Sequence, residues 1–149
     1  HVHHSYVREA SPMIVQYANK VEQVHGHAYP ELKKINLLFK GLASELLMHL
    51  QKEEQVLFPA IRRIFADDNQ IMENKMMVQH PIAMMEKEHE IAGDMMKNIR
   101  LLTNDYTPPE GACNTFRALY SKLEEFEDDL HLHVHLENNL LFNKVRNVI

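Results

Sequence analysis

Apolar residues recur every three or four positions along two long stretches of the chain, and that period restricts the fold more than any other feature. In the first stretch Leu32, Ile35, Leu38, Phe39, Leu42, Leu46, Leu50, Leu57 and Ile61 fall on one helical face. In the second, Phe116, Leu119, Leu123, Phe126, Leu130 and Leu141 do the same. A period near 3.6 specifies amphipathic helices, each of which must bury its stripe against another element. Residues 5–23, with Val7, Ile14, Val15, Ala18 and Val21 on a rougher stripe, and residues 81–102 supply two more. The expected helices therefore cover 5–23, 31–65, 81–102 and 110–145. Pro12 should kink the first and Pro59 bend the second, while Pro30 and Pro81 open the second and third. The breaks are residues 26–30, a polar, Met-dotted connection over 67–77 and a loop over 103–109 that contains Thr107-Pro108-Pro109. Four Gly and six Pro in 149 residues leave little material for the turns of an all-β fold. The expectation is one all-α domain over residues 1–149, an antiparallel up-down-up-down four-helix bundle.

Charge and cysteine usage remove several function classes. A formal net charge of −5 lacks the basic stripe a nucleic-acid partner requires. Cys113 is the one cysteine, so no internal disulfide or cysteine-based zinc or iron–sulfur site can form within the chain. It reads as a small buried hydrophobe near a helix start. No apolar run reaches 18 residues and no secretory signal is evident, so no membrane contact and a cytoplasmic location are expected.

Eleven histidines point to the chemistry. Two segments repeat one another: His49-Leu50-Gln51-Lys52-Glu53, leading to Leu57-Phe58, and His133-Val134-His135-Leu136-Glu137, leading to Leu141-Phe142. Residues i and i+4 share a helical face, so each helix offers an imidazole and a carboxylate to one point. A single His-x-x-x-Glu is ordinarily a solvated pair; two copies beside buried leucines suggest a bundle site for two metal ions.

Helix rise selects the remaining ligands. His49 lies about 27 Å and Glu53 about 33 Å beyond the start of the second helix. On the preceding antiparallel helix His4 is near that level, whereas His25 sits beside the turn, about 30 Å away. His89 is the internal histidine of the third helix, with Met85 and Gly93 one turn to either side. Its register against the fourth helix closes less well, and the start of that helix should overhang or bend.

The set is thus His4, His49, Glu53, His89, His133 and Glu137. Four imidazoles and two carboxylates without a thiolate suit iron or manganese better than structural zinc. If both carboxylates bridge two octahedral ions and an oxo or hydroxo group bridges them too, about two of twelve positions stay open to small ligands. Glu45 and Asp129, one turn before His49 and His133, are candidates to hold the outer imidazole N–H groups, and Glu88 is a weaker one for His89. His1 is discounted as a frayed terminus. His27, His80 and His131 read as surface residues, and His135 points about 160° away from His133. Met72, Met76, Met77, Met84, Met85, Met95 and Met96 read as core filling.

These residues resemble a known family. His49…Glu53 with Glu54-Gln55-Val56-Leu57-Phe58-Pro59, and His133…Glu137 with Asn138-Asn139-Leu140-Leu141-Phe142, are similar to the hemerythrin-like domain of the RIC family of iron–sulfur cluster repair proteins. So are His3-His4-x-Tyr6-x-Arg8-Glu9, Lys20-Val21-Glu22-x-Val24-His25, Glu88-His89-x-x-Ala92-Gly93 and Thr107-Pro108-Pro109. The resemblance covers essentially the whole chain. It implies a hemerythrin-like fold and a non-haem di-iron centre, oxo- or hydroxo- and carboxylate-bridged, on the same six residues. It also implies labile iron supplied to clusters damaged by nitrosative or oxidative stress, with NO or O2 as small ligands and damaged iron–sulfur proteins as partners. His25 matches a histidine that recurs in the family, but distance keeps it from the ligand set. The resemblance leaves an O2/NO-binding or sensing module as the alternative, and a ferritin-like oxidase or peroxidase as the third reading. Two features depart from the family: its usual N-terminal Cys-pair domain is absent from this chain, and Asn143 stands where relatives usually carry Pro. Oxygen carriers use a fifth histidine on the third helix, which this chain lacks.

Overall fold

The apolar stripes become the inner walls of a four-rod bundle. A computed structural model describes residues 2–66 and 71–148, and among these no strand occurs. The first rod is α1 (Val2–His25). The second joins α2 (Glu31–Lys52), a π-helical turn over Glu53–Leu57 and α3 (Phe58–Ala66). The third is α4 (Ile71–Leu102), and the fourth joins α5 (Asn114–His135), a π-helical turn over Leu136–Leu141 and α6 (Phe142–Val148). α1 packs on α2 and α5, and α4 packs on the same two, which closes a ring of four.

Two apolar clusters fill the interior. The larger joins Ile14 of α1, Phe39 and Leu42 of α2, Met96 of α4, and Phe116 and Phe126 of α5, all fully buried. The smaller joins Leu57, Ile61, Val78, Ile82, Met85, Phe142 and Val145. His49 and Glu53 lie between Leu46 and Leu57 in chain order. His89 lies between Met85 and Ala92, and His133 and Glu137 between Leu130 and Phe142. The polar layer therefore sits between two dry cores, which explains how its charged groups are buried without breaking the fold.

Several sequence expectations need correction. The third helix starts at Ile71, so residues 71–77 are helical and Pro81 lies inside the helix. Met, Glu and Lys favour helix, and Val78 and Ile82, buried at 0% and 1% exposure, anchor this turn to the smaller cluster despite the lost proline N–H. Residues 67–70 of the expected connection, the side chains of Met72, Met76 and Met77, and His1 lie outside what is described. Met84 is exposed, whereas Met85 and Met96 are core residues. The last rod starts at Asn114, not at 110. His89 is then about 20 Å from the end of α4 and His133 about 29 Å from the start of α5. Residues 103–113 take up the difference as an irregular connection. There Asn104, Asp105 and Tyr106 hold positive φ of 52°, 57° and 59°, fastened by Thr103, whose Oγ1 accepts from the Tyr106 N–H. A pair between Arg100 and the buried Glu127 ties α4 to α5 beside it. Cys113 is exposed at the N-cap of α5, because the stripe that faces the core begins three residues later at Phe116.

Candidate metal centre

Each His-x-x-x-Glu runs off the end of an ordinary helix into a π-helical turn. Beyond Glu53 the backbone N–H of Phe58 bonds the Glu53 carbonyl, five residues back, and beyond Glu137 the N–H of Phe142 bonds the Glu137 carbonyl in the same way. π-Turns are rare and concentrate at functional sites. Each widened turn offsets the following residues by one, and this carries Phe58 and Phe142 onto imidazoles of other rods. Phe58 stacks on His4 at 5.9 Å between centroids and 16° between planes; Phe142 stacks on His89 at 6.2 Å and 7°.

The structure brings the six expected residues into one buried layer, each exposed by 6% or less. His49, Glu53, His89, His133 and Glu137 offer ligand atoms that all lie within 4.8 Å of one another. His4 reaches in from α1, its Nε2 3.0 Å from Glu53 Oε2. The other Glu53 oxygen, Oε1, lies 2.6 Å from His49 Nε2. Glu137 Oε1 lies 2.8 Å from His89 Nε2 and 3.0 Å from His133 Nε2. The Nε2 atoms of His49 and His89 face each other at 3.0 Å.

These contacts test whether the donors fit a metal. Glu53 Oε1 and Glu137 Oε1 are completely buried and have no hydrogen-bond partner, although imidazole nitrogens stand 2.6–3.0 Å from them. Buried oxygen and nitrogen atoms converging on one layer are what a cation requires. The donor set fits a pair of cations with nitrogen and oxygen preference.

The same groups pair with one another as ions. Burial alone would lower the imidazole pKa of His49, but Glu137 and Glu53 overcome it and push it up to about 10. Burial likewise opposes, and Glu137 and Glu53 outweigh, a rise of His133 to about 9. His4 is raised against its burial by Glu53 and Glu54. Burial pushes Glu53 and Glu137 up, yet the surrounding imidazoles hold both below the ordinary carboxylate range.

The outer nitrogens are held by residues that sequence reasoning largely missed. His4 Nδ1 donates to Glu54 at 2.7 Å, and Arg8 donates to the other Glu54 oxygen at 2.7 Å. His89 Nδ1 donates to Asn138 Oδ1 at 2.9 Å. Glu88, expected behind His89, stands 3.4 Å from His49 Nδ1 and is also held by Lys52 at 3.0 Å. Glu45, expected behind His49, is exposed. Asp129 is half-buried within electrostatic reach of His133. The findable signal was the residue after each glutamate, which the π-turn aims at a neighbouring rod.

His25 is at the opposite end, its Nε2 3.3 Å from Cys113 Sγ, and His27, His80, His131 and His135 are exposed. Glu86, spaced from His89 as a ferritin-like Glu-x-x-His would require, points outward and pairs with Arg146.

Residues 1–145 match the family model described as the hemerythrin HHE cation binding domain. Among curated relatives, the iron–sulfur cluster repair proteins YtfE of Yersinia pseudotuberculosis serotype IB (strain PB1/+) and of Yersinia pestis (strain Pestoides F) are each 42% identical over 140 residues. The match covers 94% of this chain and 59% of each relative, so the chain spans about three-fifths of the length of the proteins it resembles.

Proposed function

The chain belongs to the hemerythrin HHE cation binding domain family, and from that premise we propose that it is the di-iron domain of an iron–sulfur cluster repair protein. The observation that carries the reading is the pair of buried carboxylate oxygens, Glu53 Oε1 and Glu137 Oε1, that accept no hydrogen bond among converging imidazoles. In this reading His4, His49, Glu53, His89, His133 and Glu137 hold two non-haem irons. Bound there, iron supplies a labile ferrous pool for damaged clusters and an open position for NO or O2. Glu53 presents one oxygen to His4 and the other to His49, Glu137 presents Oε1 to His89 and His133, and the four imidazoles complete the layer. The clusters above and below exclude water from it. Phe58 and Phe142 keep His4 and His89 in plane, and Glu54 and Asn138 hold their outer N–H groups so that each Nε2 lone pair faces inward.

The partners proposed are nitrosatively or oxidatively damaged iron–sulfur proteins, in the cytoplasm. Among the described residues no helix is long and apolar enough to cross a membrane. Reversible O2 carriage is the weaker reading. Where the third helix would need another histidine it has Met85, buried in the smaller cluster, and Gly93. The test is transfer. Anaerobic, ferrous-loaded protein mixed with a cluster-damaged iron–sulfur dehydratase and sulfide should restore its activity as iron leaves the domain. A domain that keeps its iron while the dehydratase stays inactive, under conditions where free ferrous ion restores it, contradicts the proposal.

A further inference from the structure

The end of the bundle opposite the metal layer carries a pocket that the metal chemistry does not use. A cavity of about 220 Å3 opens there between the start of α2 and the connection after α4, walled by Tyr29, Glu31, Leu102, Pro108, Pro109 and Tyr120. Along α2 it is about 27 Å from His49. Its walls are fixed from behind. Tyr29 and Tyr120 each pack edge to face with the fully buried Phe116, at 5.5 and 5.2 Å between centroids. The Thr107 N–H donates to the Thr103 carbonyl at 3.0 Å and ties down the connection that carries the two prolines.

Glu31, in the first turn of α2, is the acid among these walls, and it forms no ion pair among the described residues. Burial, followed by the charge of Glu31 and the presence of Tyr29, pushes the Tyr120 hydroxyl up to about 12. The carboxylate thus acts on this pocket without a cation to offset it. A carboxylate between tyrosine rings is an arrangement that recognises a guanidinium or ammonium group: it offers charge-assisted hydrogen bonds, and the rings attract the cation.

Leu102 is also a wall of a second cavity, of about 620 Å3, between α2 and α4. Leu37, Leu38, Met95 and Leu101 make this trough apolar, and Lys34 stands at its edge. Leu101 and Leu37, at 70% and 61% exposure, are the two most exposed large apolar side chains among the described residues. Scattered exposed leucines are ordinary, but two on opposite walls of one trough mark a surface that gains by being covered.

We propose that the two cavities form one docking groove for a segment of a partner polypeptide that carries an arginine or lysine beside leucine-like side chains. The cation enters between Glu31, Tyr29 and Tyr120, and the apolar side chains cover Leu37 and Leu101. A wholly apolar segment would leave Glu31 covered without a counter-charge, and an acidic one would be repelled by it. Lys34 supplies the opposite sign further along the groove and so fixes the direction of the segment. The proposal does not depend on the two-iron reading.

The probe is N-acetyl-leucyl-arginine amide, added to the nitrogen-15-labelled full chain and followed by amide chemical shifts. It should bind with a dissociation constant on the order of 1 mM and shift the amides of Tyr29, Glu31, Leu102 and Thr107. The same dipeptide with neutral citrulline in place of arginine should shift none of them. Glu31→Gln should weaken binding about tenfold, and Leu101→Ser about threefold, each with an otherwise wild-type spectrum. If Glu31→Gln disturbs the fold, the citrulline comparison on wild type carries the same test. Equal shifts from the arginine and citrulline dipeptides overturn the cation pocket. No shift at about 10 mM arginine dipeptide overturns the groove as a whole. Methylguanidinium that binds as tightly as the dipeptide, with Leu101→Ser indifferent, overturns the polypeptide as occupant.

Discussion

Set side by side, the halves from His49 to Phe58 and from His133 to Phe142 share their backbone and differ in how they secure it. Both pass from α-helix through a π-turn closed by a five-residue bond to the motif glutamate. In the first half the residue after Phe58 is Pro59, which has no N–H to contribute at the widened turn. In the second the equivalent residue is Asn143, and its side-chain amide donates to the Asn139 carbonyl at 3.3 Å. Proline is therefore not what makes the turn. The common cause is the demand that each glutamate and the phenylalanine five residues on both reach the metal layer. The halves also differ in cover: Phe142 is fully buried and Phe58 half-buried. Equal backbone geometry is thus combined with unequal packing around the two stacked rings.

The largest effect expected is that of pH on metal affinity. In the metal-free protein His49, at about 10, and His133, at about 9, carry protons at neutral pH that a metal must displace. One comes from each half, so affinity for the loaded pair should fall on the order of 10⁴-fold between pH 8 and pH 6. Titration in buffers of different ionisation enthalpy should find about two protons released per loaded site at pH 7. Release of none would mean that the carboxylates do not hold the imidazoles charged. Stability of the metal-free protein should run the opposite way. Both imidazoles are raised above their unfolded value, so their contribution is full below about pH 6.5 and is lost as pH climbs through 9 to 10.

Breaking one carboxylate comes next. Glu53→Ala or Glu137→Ala leaves buried imidazoles without their partner, and urea unfolding of the metal-free protein should show a loss of about 3–5 kcal/mol for either. A loss confined to one half would break the equivalence drawn above. Phe142→Ala should cost about 3–5 kcal/mol by the same measurement, and Phe58→Ala clearly less, since its ring is only half-buried; equal costs would mean that the halves are packed alike. The smallest effect belongs to the far end. His25→Ala should change stability by no more than about 0.5 kcal/mol and leave metal content untouched, whereas loss of one ion would bring His25 back as a ligand.

Much of this was legible in the chain because helical period and helical rise are regular. The apolar stripes define the rods, and distance along them separates His4 from His25. Where the backbone departs from regularity, sequence reasoning stops. The π-turns shift register by one residue without a compositional mark, so Glu54 and Asn138 were passed over. Pro81 misled in the other direction: its ring is a local cost, and Val78 and Ile82 packing on the smaller cluster outweighs it. Cys113 was misplaced because a helix start near a core stripe does not say on which side of the cap a residue falls.

The central claim is that two half-sites hold two ions between them. Iron content per chain, with the visible absorption spectrum, measured on wild type and on the Glu53→Ala/Glu137→Ala double variant, tests it most directly. The account predicts about two irons per wild-type chain, with charge-transfer bands that vanish together with the iron in the double variant. Wild-type protein that folds, contains no metal and resists reconstitution with iron would contradict it.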